Sequence, residues 1–116
     1  MGSSLVIRIL LYVESAGKVP FEQWLGGLRD REARARVRVQ IDRLSLGNFG
    51  RCRFLSGGIG ELRVHWSRGY RVYFAMLDPK SALLLCGGDK SSQSEDIRRA
   101  REYWDDFRRR RHGHKS

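Results

Sequence analysis

The sequence predicts a small α+β domain: a mainly antiparallel sheet of about four strands, with an N-terminal helical hairpin and a C-terminal helix. Three observations carry this. Apolar residues recur with a helical period between Phe21 and Leu44. From Arg51 the period changes to two, as in a half-buried sheet. After Lys90 the helical period returns. With 116 residues the chain is one domain's worth, and no linker or internal repeat divides residues 1–116.

Leu5 to Tyr12 is rich in branched apolar residues and reads as the first strand. Glu14 to Lys18 is a turn. Pro20 suits the first position of a helix, where its missing N–H costs nothing. Phe21, Trp24, Leu25 and Leu28 then make one apolar face. Asp30 is a candidate N-cap for a second helix. Its stripe is Ala33, Val37, Ile41 and Leu44, and its other faces carry Arg29, Arg31, Arg34, Arg36, Arg38 and Arg43. Gly47-Asn48-Phe49-Gly50 ends it.

Arg53 to Leu55 reads as a short strand before a Gly57-Gly58 turn. Ile59 to Trp66 and Tyr70 to Leu77 form a hairpin through Ser67-Arg68-Gly69. Asp78-Pro79-Lys80 turns the chain into Ala82 to Cys86, an apolar strand expected at the centre of the sheet. Ser92 and Glu95 have capping-box spacing, and Ile97, Ala100, Trp104 and Phe107 line the last helix. Residues 108–116 read as a basic, frayed end. Met1-Gly2-Ser3-Ser4 reads as a tag remnant without structural weight. The expected core includes Trp24, Leu28, Val37, Ile41, Leu62, Phe74, Leu84 and Trp104.

Composition narrows the function. Hydrophobic residues are 41% and charged residues 31%, a globular balance. No apolar run approaches the ~20 residues of a membrane span, and no secretory signal is visible, so a cytoplasmic location is expected. Cys52 and Cys86 stand apart in apolar surroundings, as reduced core thiols do. His112 and His114 lie in the tail without the spacing of a metal site, and no metal or cofactor is implied. The net charge of +10 points to a polyanionic partner. Arginine dominates over lysine, and its planar fork matches phosphate.

Strand alternation locates candidate chemistry. Leu62, Val64 and Trp66 point one way, and Glu61, Arg63 and His65 the other. In the next strand Val72 and Phe74 oppose Arg71 and Tyr73. Pairing apolar with apolar gathers Arg63, His65, Arg71 and Tyr73 on a face expected to be open, because the helices are expected to cover one side only. Lys90 closes its rim. Cations stabilise charge on a phosphate under attack, and histidine is the usual proton carrier near neutral pH. Tyr73 is expected to stack a splayed base or hold a phosphate oxygen. Such a set suits RNA cleavage by a neighbouring 2′-hydroxyl. Glu61 is expected as a charge partner for Arg63 or Arg71. The plainer alternative is the wet face of a half-exposed sheet.

The segments Gly60-Glu61-Leu62-Arg63, Gly69-Tyr70-Arg71-Val72-Tyr73-Phe74 and Leu84-Leu85-Cys86-Gly87-Gly88-Asp89-Lys90-Ser91-Ser92-Gln93 resemble the phage-derived addiction module killer proteins. That HigB-like group lies within the RelE/ParE/HigB toxin superfamily. Trp24-Leu25 to Leu28-Arg29-Asp30 and Arg43-Leu44 to Leu46-Gly47-Asn48-Phe49-Gly50 are similar too, so the resemblance spans roughly residues 5 to 104.

The resemblance implies a RelE-like, microbial-ribonuclease-like fold and the toxin of a type II toxin–antitoxin pair. The implied partners are an antitoxin, often a helix-turn-helix protein, together with mRNA and the ribosome. The implied activity is metal-independent, ribosome-dependent mRNA cleavage that inhibits translation. The arginine of the Gly-Tyr-Arg motif falls on Arg71, the basic residues of the preceding strand near Arg63 and His65, and the basic residue after the last strand on Lys90. Arg34, Arg38, Arg109 and Arg110 are expected to dock RNA. Ile97 stands where some relatives carry a tyrosine, which favours histidine-based chemistry. The alternative within the same superfamily is a ParE-like gyrase inhibitor that binds without cleaving.

Overall fold

The computed structural model describes residues 6–113, with side chains for residues 6–111. The readings that fall on residues 1–5 and 114–116, and on the side chain of His112, lie outside the described residues.

The order is β1 (Arg8–Leu11), α1 (Pro20–Gly27), α2 (Arg31–Ser45), β2 (Cys52–Phe54), β3 (Ile59–Val64), β4 (Tyr70–Asp78), β5 (Ser81–Gly88) and α3 (Gln93–Gly113). Local sequence explains the helix ends. Pro20 opens α1. Asp30 caps α2 by accepting from the backbone N–H groups of Glu32 and Ala33. Gly47, at φ 84°, closes α2, with Gly47 N–H bonded to Leu44 O and Asn48 N–H to Arg43 O. This paired pattern satisfies carbonyls that a helix end leaves free. The cap preceding α3 differs from the expected one: the reciprocal box joins Asp89 and Ser92, not Ser92 and Glu95.

The sheet has five strands in the order β1-β5-β4-β3-β2, one more than expected. The strands from β2 to β5 are antiparallel neighbours, but β1 pairs in parallel with β5. The sheet is therefore mixed. Sequence-adjacent hairpins revealed the antiparallel part. The β1 pairing joins residues 73 positions apart, Arg8 and Ser81 for example, and no local signal encodes it.

The helices cover both faces, not one. Val37 and Leu44 of α2 and Phe21 of α1 pack with Leu62, Val64, Val72, Phe74 and Leu84. On the other face, α3 sets Ile97, Ala100, Trp104 and Phe107 against Ile59, Tyr73, Ala75, Leu83 and Leu85. Every residue of β5 is buried, as expected for a strand covered on both sides. A register shift after Tyr73 pairs Tyr73 with Cys86 but Phe74 with Leu84, leaving Leu85 as the extra residue. The shift re-phases the strand end. Trp24 of α1 consequently lies over Gly87, and Asp96 of α3 over Gly88.

The expected frayed end is helical through Gly113. It is held because Tyr12 donates to Asp106 at 2.5 Å, and Arg110 donates both to Asp106 and to the carbonyl of Val13. Among the described residues, no helix is long and apolar enough to cross a membrane.

Candidate functional site

The hairpin of β3 and β4 sets Arg63 directly opposite Arg71 and Glu61 opposite Tyr73. β2 brings Arg53 opposite Glu61 from the other side. Adjacent cations in a register pair repel, so a compensating anion is needed nearby, and Glu61 supplies it. Its carboxylate is fully buried. One oxygen accepts from Arg53 Nε at 2.8 Å and stands 3.7 Å from Arg63 Nε. The other stands 3.7 Å from Arg71 Nε and accepts from Tyr73 Oη at 3.0 Å and Gln93 Nε2 at 2.8 Å. Burial pushes the Glu61 carboxyl up, but the hydrogen bonds from Gln93, Arg53 and Tyr73 and the Arg53 charge outweigh it and hold it below its ordinary value.

Arg63 Nε and Arg71 Nε are buried without hydrogen-bond partners. The carboxylate thus holds these two guanidinium groups by charge at long range rather than by close bonds. Arg71 is further fixed by donating from Nη1 to Gly69 O at 2.8 Å. Gly69, at φ 72°, lies between Arg71 and Lys90: a Cβ there would stand 3.6 Å from Arg71 Nη1 and 3.7 Å from Lys90 Cβ. Lys90 is exposed and borders a hollow with Arg68, Asp89 and Ser91.

His65 is exposed just past β3. It borders a cleft of about 300 Å³ with Arg63, Arg51 and the α2 residues Arg36, Gln40 and Arg43. The expected set is therefore split. Arg63 and Arg71 are register partners. Lys90 joins Arg71 across Gly69. His65 opens toward α2, on the side where Arg36 also lies over the Trp66 ring.

Several expectations are corrected. The face holding Arg71 and Tyr73 is not open, because α3 covers it. Tyr73 is fully buried, and its hydroxyl serves Glu61, so it cannot stack a base. Burial, then the Glu61 charge, pushes its pKa up. Arg71 is 9% exposed and is partly a structural cation. Arg34 donates to the carbonyl of Leu28 and clasps the α1–α2 junction. Arg38 is exposed. Arg109 and Arg110 belong to α3 and pair with Asp106.

Sequence reasoning missed Arg53 and Gln93 in the Glu61 cluster and Arg51 in the His65 cleft. Alternation alone would have placed Arg53 had the β2–β3 register been known. Gln93 follows only from the docking of α3. Among the described residues, no group of three or more His, Cys, Asp or Glu is arranged to hold a metal ion.

No family model matches the chain. An uncharacterized protein of Haemophilus influenzae is 43% identical over 81 residues, covering 70% of this chain and 82% of its own length.

Proposed function

The chain belongs to one family with that Haemophilus influenzae protein, and we propose that it is the toxin of a type II toxin–antitoxin pair that arrests translation by cleaving mRNA on the ribosome. The observation that carries the reading is the cluster of Arg53, Arg63 and Arg71 around buried Glu61, flanked by exposed His65 and Lys90. A buried carboxylate leaves a net positive site where three arginines meet, suited to a phosphodiester. The motif resemblance, a RelE-like reading of the α+β fold and the net charge of +10 support the same conclusion.

In this reading the RNA backbone lies across the end of the β3–β4 hairpin. His65 takes the proton of a 2′-hydroxyl, the 2′-oxygen attacks the adjacent phosphorus, and the 5′-oxygen leaves with a proton from water, while Lys90 holds a neighbouring phosphate of the same strand. The products are a 2′,3′-cyclic phosphate and a free 5′-hydroxyl. Arg63 and Arg71 stabilise the charge on the phosphoryl oxygens. The partner that silences the site is a cognate antitoxin.

The test is induced expression with separate labelling of new protein and new DNA, and mapping of RNA ends with and without active translation. Protein synthesis should stop first, with new RNA ends only when ribosomes are translating. Arrest of DNA replication with intact mRNA would replace this reading by the gyrase-inhibitor one. Neither arrest would remove both.

A further inference from the structure

A second recess lies on the other side of Asp89 from the Lys90 hollow. It is a crevice of about 540 Å³ between α1 and α3, with Gln23 and Trp24 on one wall, Asp96 and Arg99 on the other, and the Gly87-Gly88 backbone as floor. The floor is glycine for a physical reason. A Cβ at Gly87 would meet the Trp24 ring at 2.3 Å, and one at Gly88 would meet the Asp96 carboxylate at 1.7 Å. β1 ends at Leu11, opposite Leu84, so no strand flanks this part of β5 on that side.

Asp96 is unusual here. It is 5% exposed, yet it borders the crevice. Its Oδ2 accepts from the Ser92 hydroxyl, whereas Oδ1, which makes no hydrogen bond among the described residues, is not one of the buried unpartnered atoms and so keeps access at the crevice. Burial pushes its carboxyl above the ordinary value, against the pull of Ser92 and Arg99. A carboxylate oxygen that keeps access at the crevice while the rest of its side chain is buried is held in place to accept from a ligand N–H.

We propose that this crevice binds a single nucleobase bearing an exocyclic amino group, with Asp96 reading that amino group. An aromatic ring on one wall, a fixed carboxylate acceptor on the other and a two-glycine floor fit a planar ring with an amino edge. Arg99 at the mouth suits an adjoining phosphate. Adenine, cytosine and guanine present an amino donor. Uracil has no amino group: its one Watson–Crick-edge donor, N3–H, lies between two carbonyls, whose oxygens a carboxylate repels, so its bond to Asp96 is the weaker one. The proposal rests on the RNA-directed reading above, because Asp89 separates this crevice from Lys90 by a single residue. It adds a specificity element to the phosphate chemistry: the site selects a nucleotide beside the one cleaved.

The experiment is titration of the full chain with AMP, CMP, GMP and UMP, followed by the amide signals of Gly87 and Gly88 and the indole signal of Trp24. The three amino-bearing nucleotides should shift these signals, with UMP binding at least about tenfold more weakly, equivalent to ~1.4 kcal/mol. Asp96→Asn presents both a donor and an acceptor, so it should admit UMP and erase most of the discrimination. Gln23→Ala, on the exposed wall, keeps the test alive should the Asp96 variant misfold: it should weaken AMP binding while preserving the preference over UMP.

Shifts caused equally by all four nucleotides, or confined to residues outside the crevice, would overturn the proposal. So would shifts produced by an arginine-rich peptide and by no nucleotide, which would make the crevice a peptide site. Translation arrest by the same preparation is scored separately. Arrest without base discrimination removes this inference alone. Base discrimination without arrest or RNA cleavage removes the toxin reading and leaves a nucleotide site.

Discussion

Arg63 and Arg71 stand directly opposite each other on β3 and β4, and the oxygens of one buried carboxylate, Glu61, lie 3.7 Å from the Nε of each. The arrangement ties the stability of the hairpin to the chemistry at its end. Removing the anion leaves two facing cations uncompensated. Removing a cation leaves a buried carboxylate underpaired. Tyr73, which looks like a surface aromatic in the sequence, is one of the groups that holds this balance.

Glu61→Gln keeps the shape and removes the charge. It should destabilise the fold by on the order of 3 kcal/mol, because breaking a buried ion pair strands its partners. The Glu61 carboxyl is held below its ordinary value, so the folded state binds fewer protons than the unfolded chain. Its contribution is present above the unfolded range, about pH 4, and is lost as the pH falls through the lower, folded value. Urea midpoints from pH 7 to pH 3 should fall more steeply for the wild type than for Glu61→Gln. Parallel curves would show that Glu61 does not govern the acid limb.

Arg71→Lys keeps a cation but loses the fork that reaches both Glu61 and Gly69 O. Growth inhibition should drop by at least about tenfold, since losing a phosphate-stabilising donor costs on the order of 2–4 kcal/mol of barrier. Circular dichroism should remain that of a folded chain. Undiminished killing at equal expression would remove Arg71 from the site.

His65→Gln changes an exposed side chain past the end of β3. Its unfolding free energy should stay within about 0.5 kcal/mol of wild type, as for other surface substitutions. Ribosome binding should persist while mRNA cleavage is lost. Wild-type cleavage by this variant would leave catalysis to the arginines and Lys90.

Gly60→Ala places a methyl group 2.5 Å from the Phe74 ring. The ring is fully buried against Phe49 and Phe54, so it cannot swing into solvent. A loss of about 1–3 kcal/mol follows from overpacking. An unchanged urea midpoint would mean that the β3–β4 layer yields without cost.

Arg38→Ala removes an exposed cation from α2. Stability should be unchanged, and the salt slope of ribosome binding should fall by about one, the signature of one lost phosphate contact. Arg34→Ala should instead loosen the α1–α2 junction, because its guanidinium clasps the Leu28 carbonyl. Identical behaviour of the two variants would contradict this division.

The sequence by itself determined the elements. Pro20, Asp30 and Gly47 mark helix ends because each satisfies a local backbone requirement that no distant residue can change. Alternation correctly put Arg63 beside Arg71 and away from Leu62 and Phe74, because side-chain direction along a strand has a fixed period. What it left open was which elements lie over each face. The unbroken apolar run of Ala82 to Cys86 was the available sign that both faces are covered. Only tertiary structure decided that α3 lies over Tyr73, that β1 joins β5 in parallel, and that Arg53 and Gln93 reach Glu61. Those contacts join residues from 8 to 73 positions apart. They depend on how whole apolar faces pack together, and local periodicity carries no record of that choice.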